Sequence, residues 1–217
     1  MSQNQTMRPL DPTLADSFGL PKWLTENLKL IIGAIVAALV LAGAAGVWQW
    51  QTQRAAQQAS DELGTILTQK KGKERLDALT AFAETAPDSV RLNALFSLAD
   101  AAMAARDWNA AASAYGRIEA ATSPALGVPA GIGRAGALLE AGKAKEALDT
   151  LTALAAKAPE SFQSIISVQL VAAAEAAGDD KAALAAYEAL QAKEPTPNPY
   201  FEHQIARLKA RLGEPKS

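Results

Sequence analysis

The chain has 217 residues, no cysteine, one histidine and a formal net charge of −2. Disulfides, thiolate metal sites, cysteine nucleophiles and multi-histidine metal sites are therefore excluded. The positive excess that a nucleic-acid binder carries is missing too.

Residues 1–27 form a polar tail with three prolines, Pro9, Pro12 and Pro21. The chain then changes character. Residues 30–53 include no charged side chain, and their centre reads LIIGAIVAALVLAGAAGVW. About 20 helical residues cross a hydrocarbon layer of about 30 Å, so residues 28–50 are expected to form a single transmembrane anchor. Trp23 and Lys29 before the span, and Trp48, Trp50 and Arg54 after it, suit the interface, where aromatic rings settle and cations snorkel. A cleaved signal peptide is the competing reading, because AGAAG offers small residues. Signal cores run to only about 7–15 apolar residues, shorter than this segment. Arg8, Lys22 and Lys29 precede the span and only Arg54 follows it closely, a bias that places the N-terminus in the cytoplasm. Inside the span Ala34, Ala38, Ala42 and Gly46 recur every four residues. Such a row of small residues lets a second helix approach closely.

No proline or glycine falls between Gly46 and Gly64, so the membrane helix is expected to run on into a repeat domain over residues 51–217. There the sequence returns every 36 residues: ARDWNAAASAYGRIEAATS at 105–123, AGKAKEALDTLTALAAKAP at 141–159, AGDDKAALAAYEALQAKEP at 177–195. Arg106, Gly142 and Gly178 share a turn position, and Ala111, Ala147 and Ala183 an alanine position. Larger residues follow in register, first Tyr115, Leu151 and Tyr187, then Ile118, Leu154 and Leu190. Pro159 and Pro195 close two units, Pro124 comes one place late, and Leu79, Phe82 and Pro87 mark a degenerate fourth copy. Spacings of three and four put the alanine and both large residues on one helix face. Glycine ends the first helix of each pair, and proline follows the second because it cannot continue it. Helices are expected near 73–86, 89–105, 108–121, 129–141, 144–158, 161–177, 180–193 and 199–212, the last a capping helix with charges across one face. One pair cannot bury its apolar face alone, so the pairs must stack.

This pattern resembles the tetratricopeptide repeat. LADAAMAARDWNAAASAYGRI carries its core in Leu98, Ala99, Ala102, Trp108, Ala111 and Tyr115, and LVAAAEAAGDDKAALAAYEAL in Leu170, Gly178, Ala183 and Tyr187. The middle copy keeps Gly142, Ala147, Leu151 and Pro159, with Arg134 where the family has an apolar residue. The resemblance covers residues 55–195. It implies an all-α fold: a single N-terminal transmembrane helix followed by a tetratricopeptide-like α-solenoid of three clear and one degenerate repeat. A period of 36, against the family's usual 34, points to a longer inter-helix turn. The family's binding surface comes from the first helix of each pair. Here it includes Asn93, Phe96, Asp100, Met103, Ile132, Leu139, Glu140, Ile165, Val168 and Glu175. That set is mostly apolar. Repeat co-chaperones grip a peptide carboxylate with several Lys, Arg and Asn, and Asn93 alone is suitable here, so an apolar segment is the expected partner.

A narrower resemblance covers almost the whole chain. The tail with ENLKLIIGAIV, a single span ending in GVWQWQTQRAAQQAS and a divergent repeat domain are similar to the YfgM type. The tail MSQNQTMRPLDPTLADSFGLP is longer than that type implies. The resemblance implies an ancillary subunit of the bacterial SecYEG translocon in the inner membrane. Its repeat domain would be periplasmic, and its partners the translocon, exported clients or periplasmic chaperones. A scaffold for envelope assembly or cell division, or a cytochrome-maturation accessory, would use a similar anchor and repeats.

Nothing in the sequence calls for an enzyme, a cofactor, a metal or a small-molecule substrate. GIGRAG at 131–136 has the glycine spacing of a dinucleotide loop, but no strand precedes it, and close helix packing through Gly133 and Gly136 is the expected role. KKGKER at 70–75 reads as a solvated turn. Asp61–Glu62 and Asp179–Asp180 are adjacent pairs that share no helix face, with Asp180 expected to cap a helix. His203 has no serine or cysteine partner and reads as a surface residue.

Overall fold

The computed structural model describes residues 27–213, and the structural statements below concern those residues. Expectations for the tail and its Arg8, Lys22 and Trp23 therefore fall outside them. The described residues form nine α-helices and no strand: α1 (Leu28–Gln69), α2 (Gly72–Thr85), α3 (Asp88–Ala104), α4 (Trp108–Ala121), α5 (Pro124–Glu140), α6 (Ala144–Ala155), α7 (Glu160–Ala177), α8 (Asp180–Gln191) and α9 (Pro199–Leu212). Tertiary contacts divide the chain into two units, Met1–Ala55 and Ala56–Ser217, and α1 contributes to both.

The described residues of the first unit form an apolar helix. Its large side chains, among them Leu30, Ile35, Leu39, Leu41 and Trp48, are exposed. From Ile32 onward α1 is long and apolar enough to cross a membrane. The Arg54 guanidinium stacks on the Trp50 ring, 3.7 Å from its centroid, a cation–π contact where the uncharged run ends.

The second unit is a stack of helix pairs. The end of α1 pairs with α2, α3 with α4, α5 with α6 and α7 with α8, and α9 follows alone. From α2 onward each helix packs on the next, and α5 also reaches α7. Arg75 joins the first pair: Nε donates to the Lys70 carbonyl at 2.8 Å and Nη2 to the Leu67 carbonyl at 2.9 Å, satisfying the open C-terminal end of α1. Ala59, Leu63 and Ile66 from α1 then share one core with Leu76, Leu79 and Phe82 from α2. Of KKGKER, Lys70 and Lys71 are the turn between these helices, and Gly72 to Arg75 already form the first turn of α2.

The 36-residue repeat is visible in the backbone. Arg106, Gly142 and Gly178 all have φ in the left-handed region, at 58°, 73° and 70°. Each turn is closed by the same long hydrogen bond, from Asp107 N to Ala102 O, Lys143 N to Leu138 O and Asp179 N to Ala174 O, all at 2.9 Å. This is the Schellman closure, and it turns the chain at once into the second helix. Asp107 then caps α4 through Ala110 N, and Asp179 caps α8 through Ala182 N, each at 3.0 Å. Asp179, not Asp180, is thus the cap. Lys143 stands at the same place before α6 and makes no such bond.

Ala111, Ala147 and Ala183 are buried in every copy, with Leu151, Tyr187, Ile118, Leu154 and Leu190. The degenerate copy buries Leu79 and Phe82 in the same register. The turns are short throughout the first two full pairs, so no longer turn accounts for the period of 36. First helices take 17, 17 and 18 residues and second helices 14, 12 and 12.

α5 begins at Pro124, earlier than the expected start near 129. Pro124 occupies the first turn, where a missing N–H leaves no bond unmade. Ser123 O accepts from Gly127 N at 2.8 Å and starts the ladder. Pro129, inside the helix, removes one backbone bond, and the neighbouring Val128 and Ala130 are buried in the core.

Two outcomes follow for stability. Ala147→Leu should overpack the contact within the third pair and destabilise the domain by about 1–3 kcal/mol, whereas the exposed Lys145→Ala should change stability by under about 0.5 kcal/mol. Denaturant midpoints of the two variants separate these. Arg106→Gly and Lys143→Asp each restore what the other two copies have. Each should raise stability by about 1 kcal/mol, by relieving left-handed strain in one case and adding a cap in the other. Thermal unfolding of the single and double variants checks both gains and their additivity.

Candidate functional site

Steps of 36 residues bring eight of the ten expected binding residues into register, all but Asp100 and Glu140. Phe96, Ile132 and Val168 share one position on α3, α5 and α7. Met103, Leu139 and Glu175 share a second, and Asn93, Pro129 and Ile165 a third. None of the ten expected residues is buried. Phe96, Ile165 and Val168 are 43%, 49% and 57% exposed, large values for apolar side chains on packed helices. Met103, Ile132 and Leu139 are half-buried and lean on the core, while Asn93, Asp100, Glu140 and Glu175 are exposed. An apolar face thus crosses the first helices, with carboxylates along it.

Beneath this face α4 and α5 approach closely. A Cβ added to Gly133 would stand 2.9 Å from Cε1 and Cζ of Tyr115, and one added to Gly131 would stand 3.0 Å from Leu154 Cδ1. GIGRAG is therefore a helical packing surface within α5. The contacting glycines are Gly131 and Gly133. Gly136 was expected in that role, but a Cβ there would have open space around it. Tyr115 is half-buried, and its hydroxyl pKa is raised, first by burial and second by the charge of Asp100. Arg134, where the family has an apolar residue, reaches Glu119 at 3.6 Å, and Lys157 meets the same carboxylate at 3.1 Å. Charges thus link α4 to α5 and to the turn that follows α6.

At the C-terminal end the face is partly occupied by the chain itself. Glu175 accepts from Arg207 Nη2 at 3.3 Å and from the Tyr187 hydroxyl at 3.2 Å. That hydroxyl also lies 3.4 Å from the Tyr200 hydroxyl. Tyr187, Tyr200 and Phe201 form a trio of rings with centroids 5.9–6.2 Å apart. Burial first, then the hydrogen bond to Tyr200 and the Glu175 charge, push the Tyr187 hydroxyl far above its ordinary range. Lys209 pairs with Glu188 at 3.0 Å and Arg211 with Asp180 at 3.1 Å. The charges of α9 thus bind α7 and α8 rather than only facing solvent. These pairs have no signal in local spacing, because their partners lie on helices remote in sequence.

Ala34, Ala38, Ala42 and Gly46 are all exposed on α1. His203 is exposed on α9. Among the described residues no group of three or more His, Cys, Asp or Glu side chains is placed to hold a metal ion.

Residues 21–210 match the family described as a tetratricopeptide repeat-like domain. No curated protein matches the chain, and no solved structure matches it.

The raised pKa values of Tyr187 and Tyr115 carry a sign for pH dependence. A hydroxyl held neutral in the folded state, but free to ionise when unfolded, favours unfolding once pH exceeds the ordinary tyrosine value of about 10. Stability should therefore fall as pH rises above about 10. Tyr187→Phe should make that fall shallower, although it lowers stability near neutrality by removing the bonds to Glu175 and Tyr200. Melting temperatures of the two proteins across alkaline pH measure the difference in slope.

Proposed function

The chain belongs to the tetratricopeptide repeat-like domain family, and on that footing we propose that it is a membrane-anchored protein-binding module serving the protein-translocation machinery. The repeat fold is an interaction architecture: stacked pairs offer an extended surface. The observation that carries the binding role is the apolar row of exposed Phe96, half-buried Ile132 and exposed Val168, extended by Ile165 on one side and Met103 and Leu139 on the other.

In this reading residues 1–27 are a cytoplasmic tail, residues 28–50 anchor the protein once in a bacterial inner membrane, and residues 51–217 work in the periplasm. The charge bias around the span and the resemblance to the YfgM type support that orientation. The partners are the SecYEG translocon and either exported clients or periplasmic chaperones. An apolar segment laid across the first helices would bury Phe96 and Ile165, each worth about 1.5–3 kcal/mol when fully covered. The anchor holds the face near the membrane, which raises its effective concentration there. The row Ala34, Ala38, Ala42 and Gly46 would seat a membrane helix of the same complex. No cofactor, metal or nucleic acid takes part.

A photocrosslinking residue at Phe96 or Ile165, activated in native membranes, should capture translocon subunits or a chain in transit. Phe96→Ser with Ile165→Ser, read by a crosslinker at Val168, should cut that yield several-fold while helical content and melting temperature stay near wild type. Crosslinks confined to division proteins or to haem-lyase components would assign the scaffold or cytochrome role instead. Unchanged yield from the folded double variant would shift the binding surface to the small-residue row in the span.

A further inference from the structure

The same face carries a charge pattern that its apolar character does not require. From Ala56 onward the first helices, namely the end of α1 with α3, α5 and α7, hold seven carboxylates and two cations. Both cations are already engaged, Arg91 with Asp88 and Arg134 with Glu119. Asp100 and Glu140 are exposed beside the apolar row and belong to no ion pair. The cations lie elsewhere, in the turns, on the second helices and on α9.

α9 shows what such a surface accepts. It is the one helix in the stack without a pair of its own. It buries Leu208, rests Phe201, Ile205 and Leu212 against the core, and places Arg207, Lys209 and Arg211 on acids of α7 and α8. An apolar stripe flanked by cations is thus already seated on this domain, against acids of the same kind. From the groove chemistry and this internal example we infer that the face across α3, α5 and α7 selects an amphipathic helix whose apolar stripe is flanked by Lys or Arg. Its stripe lies on Phe96, Ile132 and Val168, and its cations meet Asp100 and Glu140. This rests on the binding face proposed above and adds the sign of the partner's charge. Complementary charges at a rim chiefly set partner choice, encounter rate and salt dependence.

Full-length protein in nanodiscs of zwitterionic phosphatidylcholine provides the test, because that lipid does not itself hold cationic peptides by charge. Two labelled synthetic helices share one Leu/Ile/Phe stripe, and one is flanked by Lys, the other by Glu. Empty nanodiscs give the background. The Lys peptide should bind about tenfold tighter than the Glu peptide at low salt, and screening at about 0.5 M salt should bring the two close together. Asp100→Asn with Glu140→Gln should remove most of the preference, whereas Glu146→Gln with Asp149→Asn on α6 should leave it intact. Phe96→Ser with Ile165→Ser should weaken both peptides alike. Equal binding of the two peptides to the wild-type protein, each lost in the Phe96/Ile165 variant, would overturn the charge selection and leave the apolar face standing. A preference that survives Asp100→Asn with Glu140→Gln, or that is lost in the α6 control, would overturn the placement of the cations. Failure of both peptides to bind the wild-type protein would overturn the face and the inference together.

Discussion

Close approach of the two helices in each pair, at Ala111, Ala147 and Ala183, is the constraint on which the repeat domain depends. Each of these alanines is buried, although an alanine side chain itself removes little apolar area from water. Its value lies in what it permits. Packed helices sit about 8–10 Å apart, and the smaller the side chains at the crossing, the shorter that distance. A short distance brings Ile118, Leu151, Leu154 and Tyr187 into contact with the facing helix, and those side chains supply the burial. Alanine also costs the helix nothing in propensity. The tight left-handed turn serves the same end. It reverses the chain in two or three residues, so that the second helix returns along the first without slack.

α5 takes this principle further. Glycine inside a helix costs about 1 kcal/mol against alanine, and GIGRAG has three. At Gly131 and Gly133 the missing side chains admit Leu154 and Tyr115, which fill the space from α6 and α4. Large residues of the second helices thereby lean on the first-helix backbone, and Tyr115 reaches toward Asp100. The geometry of the apolar face is thus set from below. Phe96 and Val168 remain exposed, and Ile132 half-buried, because the space between the helices has already been filled by residues of the layer beneath.

Periodicity made the stack legible, because each copy independently shows the same alanine, large-residue and turn positions. Eight of the ten face residues follow the same register, all but Asp100 and Glu140, and so does the burial of Leu79 and Phe82 in the degenerate copy. Local signals that point two ways were read less well. Pro124 and Pro129 resemble breakers, yet one opens α5 and the other is carried within it. Asp179 and Asp180 are both plausible caps, and only the φ of the turn decides between them. Gly133 was rightly assigned to packing, whereas Gly131 and Gly136 differ in which side of α5 meets a neighbour, and that depends on the helix crossing. The attachment of α9 could not be read at all. Arg207, Lys209 and Arg211 find their acids through the tertiary arrangement, and no spacing within the chain announces it.

α9 also bounds the apolar row. Stepped by 36, Val168 becomes Gln204 and Glu175 becomes Arg211, so the row of large apolar residues stops at α7. Exposed ion pairs contribute only about 0–1 kcal/mol each, too little to hold a helix in place by themselves. Leu208, Phe201 and the Tyr187–Tyr200 contact must therefore supply the attachment, with the charges fixing which way the helix faces. The remaining apolar row crosses three first helices. At about 10 Å per helix it extends about 20 Å, the length of a helical segment of about 13 residues. A partner of that size needs no more than one amphipathic helix, which matches a face that offers one apolar row and a few carboxylates beside it.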